Sequence, residues 1–176
     1  MTTAILLALA LTSQSGGPRK APTKVFVSKE GGFSAAMPGT PKLQNQTVQT
    51  PIGPLEIHLY VLEGSDLAYF VTYNDYAADF VAKADPKALL TNGQNGAITT
   101  VKGKLIVEEE IELDGHPGRA FTFALPEGDI PDGMGKARHF LVRNRHYQVM
   151  VVGTKAKIED KATDKFLKSF KLTGAK

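Results

Sequence analysis

The sequence predicts a single α+β domain in which a mostly antiparallel β-sheet lies between helices. Short segments that alternate polar and apolar residues follow one another through turns rich in Gly, Pro, Asn and Asp, as in consecutive hairpins. Some of these segments are apolar on both faces, which requires cover on both sides of the sheet. Two further segments have helical character, and a length of 176 residues fits one domain.

The N-terminal segment has the pattern of a secretory signal. Residues 4–11 are apolar without interruption, a run too short to span a bilayer, and small residues that a signal peptidase accepts follow it. We predict a signal peptide at residues 1–17, a short linker at residues 18–23 and one domain at residues 24–176. The protein is then exported, to the periplasm or outside the cell, with no stable membrane insertion after cleavage.

The first half of the domain is predicted to be a series of strands. Residues 24–28 and 33–37 alternate in character around a Gly-Gly turn, and residues 43–50 are polar and β-prone, as in an exposed edge strand. Residues 55–62 place their apolar side chains on one face. Residues 67–73 are apolar on both faces, so we expect them to form a central strand.

A helix is predicted at residues 87–101, with Asp85 as its cap and Pro86 as its first residue. Gly93 and Gly96 weaken it, by about 1 kcal/mol each relative to Ala. The segment nevertheless has an apolar face, and its glycines favour movement of the kind a lid makes.

Four strands and a second helix are predicted in the other half. Residues 105–113 form a long strand with one acidic, solvated face, and residues 119–125 form the next. A hairpin follows, with arms at residues 136–143 and 146–153 that look buried on both sides, and with Asn144 and Arg145 near its tip.

The C-terminal helix is predicted from apolar residues that recur every four positions, at Ile158, Ala162, Phe166 and Phe170. Residues 169–172 are predicted to leave the helix as a short last strand.

Composition excludes several classes of function. The chain contains no Cys, so disulfides, thiolate metal sites and cysteine nucleophiles are excluded. The net charge of +3 is modest and the basic residues are dispersed, which argues against nucleic-acid binding. The sequence has no P-loop, nucleophile elbow, zinc-protease or dinucleotide motif. We therefore predict a protein that is not an enzyme and has no cofactor.

One compact basic stretch is the candidate binding site. It consists of Arg138, His139, Arg143, Arg145 and His146, with no acidic residue among them. It has two interpretations: a site for an anion or an acidic partner, or a solvated hairpin tip. The two histidines lie on opposite arms of the hairpin and can approach each other. We interpret them as polar residues at the rim rather than as metal ligands.

Three local sequences resemble the PsbP-like family of α/β/α sandwiches. They are VF…GGFS…MPGTP at residues 25–41, LDGHPGR at residues 113–119 and FLKSFKL at residues 166–172. The resemblance covers residues 24–173 and is greatest to small exported bacterial members, the DcrB-like and PsbP-like proteins. It implies an α/β/α sandwich and a non-enzymatic accessory or binding domain.

Three functions follow from these observations. The first is an exported accessory domain that binds a protein partner or component of the cell envelope. The alternative is a carrier that holds an apolar small molecule between the sheet and the helix at residues 87–101. The third is a hydrolase without a recognisable motif.

Overall fold

The computed structural model describes residues 23–128 and 130–174. The strands are β1 (Lys24–Ser28), β2 (Phe33–Met37), β3 (Lys42–Thr50), β4 (Gly53–Glu63), β5 (Leu67–Asp75), β6 (Lys104–Leu113), β7 (His116–Ala124), β8 (Gly133–Val142), β9 (Arg145–Thr154) and β10 (Lys171–Leu172). The helices are α1 (Ala78–Val81), α2 (Pro86–Thr100), α3 (Lys155–Ile158) and α4 (Lys161–Lys168). The predicted signal peptide, and the predicted linker except for its last residue, lie outside the described residues.

Seven strands form the main sheet, in the order β3-β4-β5-β9-β8-β7-β6. Every neighbouring pair is antiparallel, because most of the strands are joined by short hairpins. The segments that are apolar on both faces, β5, β8 and β9, take the central positions, as predicted. The polar β3 lies at one edge, also as predicted.

The two faces of the main sheet have different cover. On one face α2 packs over β7 and β8. On the other, α3, α4 and a small three-stranded sheet, β1-β2-β10, enclose the larger apolar core. These layers confirm the predicted α+β architecture of a sheet flanked by helices.

Phe170 joins the small sheet to the main sheet. Its ring stacks on Phe33 of β2 and on Phe140 of β8, at centroid distances of 5.6 and 5.8 Å, and only 2% of its surface is exposed. The sequence predicted strands β1, β2 and β10 without indicating that they form a separate sheet, since their pairing depends on contacts distant in sequence.

The C-terminal helix is divided, contrary to the prediction. α3 ends at Ile158, and Asp160 caps α4 by accepting a hydrogen bond from the Ala162 backbone N–H at 2.7 Å. A cap residue has non-helical backbone angles, so the two segments cannot be one continuous helix. The short last strand is present as β10.

The β8–β9 hairpin turns one residue earlier than predicted. Val142 pairs with Arg145, which leaves Arg143 and Asn144 as the turn residues and gives Arg143 a φ of 58°. Arg145 is thus the first residue of β9 rather than part of the tip.

Strand β6 is more exposed than its alternating pattern predicts. Leu105, Ile106 and Val107 are 38%, 54% and 58% exposed, and a β-bulge interrupts the pairing with β7 between Leu105 and Val107. β6 lies at the edge of the sheet, beyond the strands that α2 covers. Among the described residues, no helix has the length and apolar character needed to cross a membrane.

Candidate ligand-binding cleft

Helix α2 is too narrow to cover its face of the main sheet. Strands are spaced about 4.8 Å apart and a helix with its side chains is about 10 Å wide, so one helix covers roughly two strands. α2 lies over β7 and β8, and Gly93, near the middle of the helix, lies beside His146 of β9. Beyond the helix, side chains of β4 and β5 on the same face of the sheet line an open space.

The uncovered face and the adjacent side of α2 enclose a cleft of about 580 Å³. Its walls are mostly apolar and include Ile57, Leu59, Phe70, Leu89, Ala97 and Met150. Exposed residues of the β3–β4 turn, Pro51 and Ile52, line one end and mark its mouth. This volume lies within the range of sites that take drug-sized ligands.

The inner end of the cleft is polar. Asn74 of β5 and His146 of β9 line it, and both are buried, with 6% and 7% of their surface exposed. His146 Nδ1 lies 3.4 Å from Asn74 Oδ1, and His146 Nε2 lies 3.2 Å from Nδ1 of His139, on β8. Among the described residues, the Nδ2 atom of Asn74 and the Nε2 atom of His139 have no hydrogen-bond partner within 3.5 Å, and the side chains nearest to them with a suitable polar group are Tyr76 and Gln148, respectively.

Burial keeps both histidines neutral. It lowers the pKa of His146 from 6.5 to about 4. Burial, together with the proximity of His146, also lowers the pKa of His139 well below its usual value. At neutral pH each ring therefore carries one N–H donor and one nitrogen acceptor.

Gly93 allows α2 to approach this polar end. A Cβ atom at Gly93 would lie 2.8 Å from Cε1 of His146 and 3.4 Å from Nδ1 of His139. At Gly96, which lines the cleft one turn further on, a Cβ would meet no atom within 4 Å. The two glycines that weaken the helix thus have different surroundings: one touches the histidines and the other faces open space.

The five predicted site residues do not form one cluster. Side chains alternate between the two faces of a strand, so His139 and His146 face α2 while Arg138 and Arg145 face the opposite side. The prediction that the histidines are rim residues was wrong: His139 is 0% exposed, because α2 covers it.

Arg145 is engaged within the protein. Its Nε and Nη2 atoms each donate to a carboxylate oxygen of Asp75 at 2.6 Å, and Nη1 donates to the backbone carbonyls of Glu30 and Gly31. Its guanidinium also lies 4.6 Å from the centre of the Tyr73 ring. The carboxylate of Asp75 raises the pKa of Arg145.

The other two arginines lie apart from it. Arg138 lies against the Phe140 ring, 5.3 Å from its centre, and its Nη1 is 3.5 Å from the Leu167 carbonyl. Arg143 is exposed in the hairpin turn. A binding role for the three arginines stays a prediction.

Sequence reasoning found one wall of the cleft and missed its polar end. The predicted helix and the apolar face of β4 are both present as walls. Thr72 and Asn74, which line the cleft from β5, were not singled out. A signal was available, since polar side chains on the covered face of a central strand are unusual unless they have partners.

Comparisons with known proteins identify the fold. The chain is similar to the solution structure of cyanobacterial PsbP (CyanoP) from Synechocystis sp. PCC 6803, with a TM-score of 0.61 and 13% identity over 91% of this chain and 98% of that one. It is also similar to a Pseudomonas aeruginosa protein of unknown function, with a TM-score of 0.43 and 16% identity over 68% of this chain and 87% of that one. The first similarity confirms a PsbP-like fold.

At the level of sequence, no protein-family model and no curated protein matches the chain. In the described part of the chain, no group of three or more His, Asp or Glu residues is placed to hold a metal ion.

Proposed function

We propose that this protein is an exported, non-enzymatic accessory domain that holds an apolar small molecule in the cleft beside α2. The observation that carries the proposal is the cleft itself, about 580 Å³ with mostly apolar walls. Of the functions predicted from the sequence, the carrier is the one that this geometry supports best.

Filling the cleft is favourable because part of its apolar lining is otherwise in contact with water. Removal of apolar surface from water contributes roughly 25 cal/mol per Å², on the protein and on the ligand alike. Leu59, Phe70 and Met150 also belong to the buried cluster between α2 and the sheet, so packed neighbours hold these wall residues in place. A preformed apolar wall of this kind binds with little ordering cost.

Ligand binding in the cleft can be tested by filling it at Thr72, which lines its floor from β5. Thr72→Phe places a ring in the cleft, and Thr72→Val is a control of nearly the same size. The probe is N-phenylnaphthylamine, whose fluorescence rises in apolar surroundings. The chain has no Trp, so intrinsic tryptophan emission does not interfere.

We expect the wild-type protein and Thr72→Val to bind the dye with similar affinity and Thr72→Phe to bind it at least tenfold more weakly, with the same thermal unfolding midpoint or a higher one. Dye binding that is equal in all three proteins contradicts the proposal. Native mass spectrometry of protein purified gently from its own source complements this test, since a non-covalent adduct gives the mass of the natural ligand.

A protein partner in the cell envelope is a second candidate, and the observation that favours it is the open edge of β6. Within the described residues this strand pairs with β7 alone, and it exposes Leu105, Ile106 and Val107 beside a run of glutamates. An exposed edge accepts an added strand from a partner, and the glutamates favour a basic one.

Photocrosslinking in cells tests this second function. A photoreactive residue replaces Ile106 on β6, or Thr47 on the opposite edge strand as a control. Partner binding at β6 predicts a crosslink to one protein from position 106 that Val107→Lys abolishes, and none from position 47. Equal labelling at both positions contradicts it.

A further inference from the structure

We propose that the ligand of the cleft is an amphiphile whose uncharged head group accepts a hydrogen bond from the side-chain amide of Asn74. This inference rests on the proposed function and specifies the chemistry of its ligand. Asn74 lines the inner end of the cleft and is 6% exposed, and its Nδ2 atom has no hydrogen-bond partner within the described residues. A buried donor without a partner is uncommon in folded proteins, because its desolvation is not compensated.

One arrangement of protons connects the two histidines to the Asn74 amide. With Asn74 Oδ1 as an acceptor, His146 donates from Nδ1 and its Nε2 becomes the acceptor. His139 then donates from Nδ1 to His146 Nε2. In this arrangement the two neutral rings occupy Asn74 Oδ1, and its Nδ2 protons remain for the Tyr76 hydroxyl or for a ligand in the cleft.

The head group is uncharged because the inner end provides no counter-charge. Both histidines are neutral, and the guanidinium of Arg145 lies on the opposite face of the sheet, where Asp75 binds it. A carboxylate in such a place would be desolvated without a partner, which is strongly unfavourable. A ketone, ester or amide carbonyl accepts the hydrogen bond without this cost.

The mouth of the cleft accommodates the rest of the molecule. Between Asn74 and the β3–β4 turn the wall is formed by Leu55 and Ile57 of β4, and Phe70 lines the cleft on the other side of Asn74. An acceptor at one end followed by an apolar tail matches this order of surfaces. A purely apolar molecule fills the walls but leaves the Asn74 amide without a partner.

The test compares two ligands of equal chain length, dodecane and its methyl ketone, by displacement of N-phenylnaphthylamine. For each ligand, the affinity of the wild type is compared with that of Asn74→Leu. The hydration free energy of the free ligand is the same in both measurements, so it cancels from their ratio. We expect the variant to bind the ketone about tenfold more weakly and the alkane as well as the wild type does. Gln49→Leu makes the same kind of amide-to-leucine change at an exposed residue of β3 outside the cleft lining, and it is expected to keep the wild-type affinity for both.

A second measurement does not depend on the folding of a variant. In wild-type protein, the NMR signals of the Asn74 side-chain amide protons are expected to move downfield when the ketone binds and to stay in place when the alkane binds. Dodecanoate is expected to bind more weakly than the ketone at neutral pH.

The outcomes separate the two proposals. Absence of dye and ligand binding overturns the carrier function and this inference together. Binding of both ligands with equal sensitivity to Asn74→Leu, or without movement of the Asn74 signals, overturns only the assignment of the head group. Tighter binding of dodecanoate than of the ketone overturns the uncharged character of that group.

Discussion

Arg145 connects three parts of the chain through one side chain. It begins β9, binds the carboxylate of Asp75 at the end of β5, and donates to backbone carbonyls in the turn between β1 and β2. A planar guanidinium suits this arrangement because its donors lie in one plane and reach several acceptors. Arg145 therefore links the small sheet to the main sheet through its charged side chain.

Arg145→Ala is expected to lower the free energy of unfolding by about 1–2 kcal/mol, because it removes the donor to Asp75 and to the Glu30 carbonyl, while the Gly31 carbonyl keeps the hydrogen bond from the Tyr147 hydroxyl. The ion pair adds little beyond this, since the Asp75 side chain is 47% exposed and water screens it. Urea denaturation of the wild type and the variant measures the difference.

Arg143→Ala is the matched control, because Arg143 is also an arginine of this hairpin but lies exposed in the turn. We expect it to change the free energy of unfolding by less than about 0.5 kcal/mol. Equal losses in both variants would show that the contacts of Arg145 do not stabilise the fold.

His146 makes the stability depend on pH. Its pKa is lowered from 6.5 to about 4 by burial, so below pH 6.5 the unfolded chain takes up a proton that the folded protein excludes. The unfolded state then binds more protons, and the free energy of unfolding falls as the pH is lowered from about 6.5 towards 4. His139, whose pKa is also lowered, acts in the same direction.

We therefore expect His146→Gln to reduce the slope of unfolding free energy against pH between about pH 6.5 and 5, above the range in which most carboxylates titrate. The slope, rather than the absolute stability, is the readout, because the variant also changes packing. His116→Gln, which removes a histidine of β7 distant from the cleft, serves as the comparison. The same slope in both variants would contradict this role of His146.

At the scale of the element, α2 contains two glycines whose replacement has opposite effects. Ala in place of Gly within a helix contributes about 1 kcal/mol of stability. We expect Gly96→Ala to show this gain, because a Cβ there meets no atom within 4 Å. We expect Gly93→Ala to lower stability despite the same gain in propensity, because its Cβ would lie 2.8 Å from the His146 ring.

Thermal denaturation of the two variants measures both effects, and each is the control for the other since they share one helix. A gain of stability in both would mean that α2 or the histidine ring moves aside easily. The difference in stability between the two variants therefore also shows how much the His146 ring and α2 resist displacement at the inner end of the cleft.

At the scale of the whole molecule, the contacts of Phe170 determine how the two sheets are joined. Its ring lies between Phe33 and Phe140 and also contacts Tyr147, at a centroid distance of 5.4 Å. Phe170→Ala opens a cavity where both sheets meet, and we expect it to lower the free energy of unfolding by about 3–5 kcal/mol.

Denaturation monitored by circular dichroism, together with hydrogen exchange, tests whether both sheets lose stability. A single cooperative transition shifted to lower denaturant is expected, because the small sheet and the main sheet enclose one core. Early exchange confined to β1, β2 and β10 would show instead that the small sheet unfolds independently.

The sequence by itself determined the elements and their environments. Alternation predicted the strands, two-sided apolar character placed β5, β8 and β9 in the interior, and Asp85 with Pro86 predicted the start of α2. These features are local, because side-chain period and capping depend on residues only a few positions apart.

Only the tertiary structure decided the composition of the candidate site. A basic stretch of five residues was divided between two faces of the sheet by the alternation of its own strands and by a turn one residue earlier than predicted. The cleft exists because a helix about 10 Å wide lies over one side of a seven-stranded sheet, and no local pattern fixes where a helix docks. The same packing brought Asn74 to the histidine pair across 72 residues of chain, since contacts between strands distant in sequence form only in the complete sheet.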